Sequence, residues 1–386
     1  ADHKIHRVRR ATKDYGAEED AAFWNDAAQS TIQEKISRPE LKGTAKNVIM
    51  LLGDGMSIPT LAATRAYLGQ TQGHFGEETT YCVDSQVADS ACSATAYLGG
   101  VKANIGTIGV TARVEVDDCA AMRNVSNQVT SILKWSQDAG KATGIVTTTR
   151  VTHASPAGTY AHIANRDWEN DNEIRLSDQD PEVCDDITEQ LVKGLPGRNI
   201  KVILGGGREN FRPNTVADEE GGTGSRRDGV DLIKAWQDDK AERNVSYKYV
   251  WNRDDFLSID VANTEYLLGL FERSHMEYHW LADPVTEPTL EELTRTAVKS
   301  LSKDPNGFFL FVEGGRIDQG HHATKAHLAL DEAVEFAKAI QAAAELTNEE
   351  DTLIVVTADH AHTMTYNGYP VRGNDIFGKS TSSKFN

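Results

Sequence analysis

No apolar run in this 386-residue chain approaches the roughly 20 residues needed to cross a bilayer, so no membrane-spanning helix is expected. Basic residues are scarce beside acidic ones, 40 against 58, which gives a formal net charge of −18. That balance argues against nucleic acid as a polyanionic partner, because a phosphate backbone is bound mainly by basic surface. A small phosphate ligand would have to draw much of its local positive charge from metal ions. Cysteine is sparse: Cys82, Cys92, Cys119 and Cys184 allow several pairings, and spacing does not choose among them. An initiator Met and an apolar signal segment are also missing, so Ala1 reads as the start of a mature or trimmed form. There is no internal repeat, and the composition is otherwise that of an ordinary globular protein.

What the chain does contain is an alternation of strands and helices. Strands are expected over 46–52, 142–148, 199–204, 246–250, from Phe308 onward, and over 351–357. Helices are expected over 18–37 (ending before Pro39), 57–68, 91–98, 128–138, 182–193, 229–239, 289–302 and 323–346. This order implies an α/β fold, a large mostly parallel central sheet with helices on both faces. Residues 1–386 read as a single catalytic domain in which 1–40 form an arm and helix, and 206–229 a long insertion.

The stretch from Phe308 to His322 organises the reading. An apolar run bounded by Gly307 and Gly314 forms a buried strand, and Glu313, Asp318 and His322 follow it closely. Asp318 and His322, four residues apart, share one face of a helix. Hard oxygen ligands suit magnesium, whereas carboxylate with imidazole suits zinc. Three other strand ends carry the same residue types: Asp54, then His153 and Ser155, then Asp359 and His360. In open α/β sheets ligands collect beyond the carboxyl ends of the strands. Any one of these residues alone could simply cap a helix. Eight potential ligands from four strand ends exceed the needs of one ion and favour a cluster of two or three.

Ser90 is the candidate nucleophile. At a helix N-terminus, backbone N–H groups and the helix dipole favour an anion, whether an alkoxide or a bound phosphate. Arg166 follows the His153/Ser155 pair in a loop, and its planar fork suits two phosphate oxygens. Two Asn-X-Ser acceptors, at Asn124 and Asn244, would serve for glycosylation only in a secretory compartment.

Five segments taken together resemble the alkaline phosphatases of metazoans: 53–56 (Gly-Asp-Gly-Met), 89–91 (Asp-Ser-Ala), 152–157 (Thr-His-Ala-Ser-Pro-Ala), 312–318 (Val-Glu-Gly-Gly-Arg-Ile-Asp) and 357–360 (Thr-Ala-Asp-His). They occur in the family's order, and the resemblance runs from Phe23 to Asn374. It implies phosphate monoester hydrolysis through a phosphoserine at Ser90, with Arg166 holding the phosphate, at a site of two zinc ions and one magnesium. Asp54, Asp359 and His360 would hold one zinc, Asp54 also reaching the magnesium. Asp318 and His322 would hold the other zinc, and His153, Ser155 and Glu313 the magnesium. His362 would support Asp318 from behind, and Gln319 stands where many metazoan members have histidine, a neutral amide that should weaken the hold on phosphate.

The resemblance further implies a Cys119–Cys184 disulfide, with Cys92 a buried thiol. It implies a calcium site at the Phe271 carbonyl, Glu272, Glu287 and Glu219. A homodimer clasped by the N-terminal helix is expected, in an extracellular protein that is secreted or attached to the outer cell surface. Any lipid anchor would lie outside this chain. The family's third ligand to the Asp318/His322 zinc, its distal crown segment and its second disulfide lie far downstream, so sequence beyond Asn386 is expected in the native protein. A segment also looks shortened between Phe75 and Asp89. Two other functions stay open at this point: a phosphodiesterase of the same superfamily, and a surface glycoprotein acting as a receptor with an impaired site.

Overall fold

A computed structural model of the chain describes residues 16–37, 80–348, 350–365 and 376–377. Among the described residues five strands form one sheet: β1 (Ala142–Arg150), β2 (Val202–Gly206), β3 (Tyr247–Val250), β4 (Tyr266–Leu270) and β5 (Phe308–Glu313). Their order is β3-β4-β2-β1-β5, and every neighbouring pair is parallel. The carboxyl ends of all five therefore lie along one edge.

Alternation along the strands divides the core in two. Ile145, Ile203, Leu268 and Leu270 join Leu133, Leu191 and Trp236 in one cluster. The intervening Val146, Val202, Leu204 and Leu267 join Leu290, Leu293, Ala297 and Leu301 in the other. The helix Leu290–Leu301 begins with a reciprocal cap, in which Thr289 accepts from the Glu292 amide and the Glu292 side chain accepts from the Thr289 amide.

Several expected boundaries move. The helix expected over 128–138 begins at Ile132, capped by Ser131, and that over 182–193 begins at Ile187, capped by Asp186. In both cases a capping side chain fixes the start more firmly than hydrophobic spacing does. The helix expected from 323 is Ala326–Leu346, split from Arg316–His322 by Thr324, whose φ of 56° no helix can contain. Strand β4 was not expected, because five apolar residues between turns do not announce their period.

The strand expected over 351–357 is a correction. Among the described residues this segment has no ladder partner, and Leu353, Val355 and Val356 are exposed. Apolar β-branched sequence supplies the propensity, but only a neighbour's hydrogen bonds make it a strand. The strand expected over 46–52 and the helix over 57–68 lie outside the described residues. Cys92 is a second correction: it is bonded to Cys82, not a free thiol, while Cys119–Cys184 forms as expected.

Leu293 is fully buried between sheet and helices. Leu293→Ala should therefore lower stability by about 3 kcal/mol in urea titration, and an unchanged unfolding midpoint would refute that placement.

Candidate active site

The candidate residues lie beyond the ends of β1 and β5 and at one helix N-terminus. Thr147 and Glu313 are register partners on those strands. The Glu313 carboxylate turns inward, accepting from the Thr147 hydroxyl at 2.6 Å and the Thr149 hydroxyl at 3.1 Å. Burial pushes its pKa up, hydrogen bonds from Thr147 and Ser155 pull it down, and the charge of Asp359 raises it again. Ser155 also lies beside the Tyr97 hydroxyl. Glu313, Ser155, Tyr97 and Asp359 thus share one neighbourhood. The turn after β5 must come close to β1: a Cβ on Gly315 would lie 2.3 Å from Thr149 Cγ2 and 2.9 Å from the Glu313 carboxyl carbon.

The chain leaving β1 delivers His153 just before the short helix Ala154–Ala157. Burial and the nearby guanidinium groups of Arg166 and Arg150 hold its pKa well below the usual histidine range, so the ring is neutral. Its Nε2 lies 3.3 Å from Arg166 Nη2, and its buried Nδ1 has no partner among the described residues.

Ser90 opens the helix Ser90–Gly99, capped by Asp89 through the Cys92 amide. Ser90 Oγ lies 3.3 Å from His360 Nε2, and the same ring nitrogen lies 3.3 Å from Asp359 Oδ2. Asp89 Oδ2 meanwhile accepts from Arg166 Nη1 at 2.9 Å. Nucleophile candidate, imidazole, carboxylate and phosphate-binding candidate are therefore adjacent.

A third group forms on the helix Arg316–His322. His322 Nε2 lies 3.4 Å from Asp318 Oδ2, and His362 joins them so that one donor atom from each lies within 4.8 Å of the others. Asp318 Oδ1 and His362 Nδ1 are buried without partners among the described residues. His321 stacks on His362 but stays outside the group. Gln319 hydrogen-bonds His275 at 3.0 Å and Arg316. Asp54 lies outside the described residues.

The acids expected at calcium lie farther along the same edge, past β2 and β4. Burial, together with neighbouring carboxylates, raises the pKa of Glu272 to about 7 and that of Glu287 to about 8. Glu219 instead meets Arg212 at 2.5 Å and Arg208 at 3.4 Å, and the carboxylates that bear on Glu272 are Glu220 and Glu277.

Sequence reasoning missed Thr147 and Thr149, although their period-two spacing on a strand set them on Glu313's side. It also missed His275, whose pKa falls to about 3 through burial and the charges of Arg150 and Arg316, and which packs edge-on against His153. No local signal marks it, since its partners are more than forty residues away in the chain.

The family model described as alkaline phosphatase matches residues 45–385. The chain belongs to the alkaline phosphatase family. The membrane-bound alkaline phosphatase of Bombyx mori is 52% identical over 94% of this chain and 69% of its own length. The tissue-nonspecific alkaline phosphatase of Gallus gallus is 48% identical over 94% of this chain and 72% of its own. Among solved structures, a TAB5 alkaline phosphatase variant with magnesium bound in its M3 site is 26% identical. It superposes with a TM-score of 0.51 over 68% of this chain, which spans 61% of that structure. Relatives near 50% identity make this chain a phosphatase.

The turn bearing His153 is held by Glu169, which accepts from Arg150 at 2.8 Å, Thr152 at 2.5 Å and Asn210 at 2.9 Å. Glu169→Ala would leave the half-buried Arg150 unpaired and should cost about 3 kcal/mol in chemical denaturation. A loss below about 1 kcal/mol would mean the pair behaves as a surface contact.

Proposed function

We propose that the protein hydrolyses phosphate monoesters at a two-zinc, one-magnesium site, with Ser90 as nucleophile and Arg166 as the phosphate clamp. The observation that carries this reading is the 3.3 Å approach of Ser90 Oγ to His360, itself paired to Asp359, beside the Arg166 guanidinium. The donor sets suit the ions. Asp318 and His322 offer the carboxylate and imidazole that suit one zinc, with His362 beside them. Asp359 and His360 would hold a second zinc together with Asp54. Glu313 and Ser155, with the neutral ring of His153 nearby, offer the oxygen-rich setting that magnesium prefers. Magnesium in the TAB5 relative's M3 site supports metal dependence. Bound there, such ions would lower hydroxyl and water pKa values and offset charge on phosphate oxygens.

The protein's own groups would then act in two displacements. Ser90 Oγ gives up its proton to solvent and bonds to phosphorus while the bond to the leaving alcohol breaks. Water next attacks the phosphoserine, releasing inorganic phosphate and restoring the Ser90 hydroxyl. Arg166 would leave part of its pairing with Asp89 to fork two equatorial oxygens. The amides opening the helix Ser90–Gly99 face the same anion.

The remaining expectations have supporting observations. All four cysteines are paired, as in an oxidising, extracellular setting. The helix Ala21–Ser37 buries no residue in the single chain, which suits a clasp on a second copy. Among the described residues no helix is long and apolar enough to cross a membrane, so a surface location would rest on an anchor.

Metal-replete enzyme and Ser90→Ala should differ by at least about a thousandfold in kcat on p-nitrophenyl phosphate, with the fold unchanged. Comparable turnover would refute the serine assignment.

Glu272 and Glu287, with the Phe271 carbonyl, form the proposed calcium site, and Glu219 would have to leave its pairs with Arg208 and Arg212 to join them. Their folded pKa values are raised, so without a cation their contribution to stability is full below about pH 4.5 and is lost as pH rises through about 7 to 8. Calcium should therefore raise the melting temperature far more at about pH 8.5 than at about pH 5. Equal shifts at both would contradict the site.

A further inference from the structure

The disulfide Cys82–Cys92 encloses the nucleophile turn. It ties the chain entering the site to the first turn of the helix Ser90–Gly99, with Asp89 and Ser90 inside the ring. Both half-cystines are 1% exposed and pack with Ala88 and Ala103. The enclosed loop docks on the segment around Gly106. Val83 N donates to the Ala103 carbonyl at 3.0 Å, Ile105 N to Asp84 Oδ1 at 2.8 Å, and Gly106 N to Asp89 Oδ2 at 3.2 Å. The Arg166 amide donates to the Gly106 carbonyl at 2.8 Å, so backbone and guanidinium of Arg166 are both fixed through this loop.

We propose that the Cys82–Cys92 disulfide is a positioning element for phosphate binding, acting by holding the Asp89 carboxylate where it sets the reach of Arg166. Asp89 Oδ1 caps the Cys92 amide at 3.1 Å while its Oδ2 holds Arg166, so any slack between residues 82 and 92 passes directly to the guanidinium. Cys82 Sγ itself approaches Asp89 Oδ1 at 3.8 Å. A misplacement of about 1 Å in a positioning group can cost on the order of a hundredfold in activity. The inference rests on the reading of Ser90 and Arg166 given above.

The test is a cycle in the full chain with zinc and magnesium present, comparing wild type, Cys82→Ala/Cys92→Ala, Arg166→Ala and the triple variant. KM for p-nitrophenyl phosphate and the inhibition constant of inorganic phosphate are read in each. Removing the disulfide should weaken phosphate about tenfold in the wild type and leave it unchanged once Arg166 is gone. An unchanged inhibition constant in the disulfide-free protein, or the same loss in both backgrounds, overturns the proposal. Should that pair not fold, Cys82→Val/Cys92→Ala refills the small core cluster. Failure of both pairs to fold assigns the bond to stability alone and overturns it equally. If Arg166→Ala itself leaves phosphate inhibition intact, the functional reading fails instead.

Discussion

A part-buried carboxylate at the end of a parallel strand constrains the whole site. Glu313 is ringed by the hydroxyls of Thr147, Thr149 and Ser155 and feels the charge of Asp359. Hydroxyls stabilise such an anion only in part, so it must either keep its proton or find a cation. The parallel sheet makes the problem recur, because every strand delivers its following turn to the same edge. The turns carrying His153 and Ser155 after β1, and Asp318 and His322 after β5, are delivered to that edge for topological reasons alone.

The same edge carries a second accumulation of negative charge past β2 and β4, where Glu272 and Glu287 hold protons far above the ordinary carboxylate range. Two carboxyl clusters along one sheet edge, in a chain of net charge −18, suit the metal dependence that membership of the alkaline phosphatase family implies. Between them Arg150, Arg166 and Arg316 supply fixed positive charge, with His153 and His275 kept neutral beside them. Neutral rings keep lone pairs available, which protonated rings would not.

Much of this was legible in the sequence. The alternation of apolar runs and amphipathic segments predicted a parallel sheet, and the strand-end rule set Ser155, after β1, beside Glu313 at the end of β5. What escaped has physical causes. The Cys82–Cys92 bond depends on a turn whose path spacing does not reveal, and β4 is too short to show a period. Residues 351–357 have strand composition, but pairing is a property of neighbours, not of composition. Gln319 and His275 meet through tertiary packing, so their hydrogen bond left no mark in the chain.

Trapping the covalent intermediate examines the central claim most directly. Metal-replete protein incubated with a phosphate monoester, quenched in acid and digested, should yield a peptide bearing one phosphoryl group on Ser90. Phosphate on another residue, or turnover with no phosphorylated peptide at any quench time, would contradict a mechanism built on that hydroxyl.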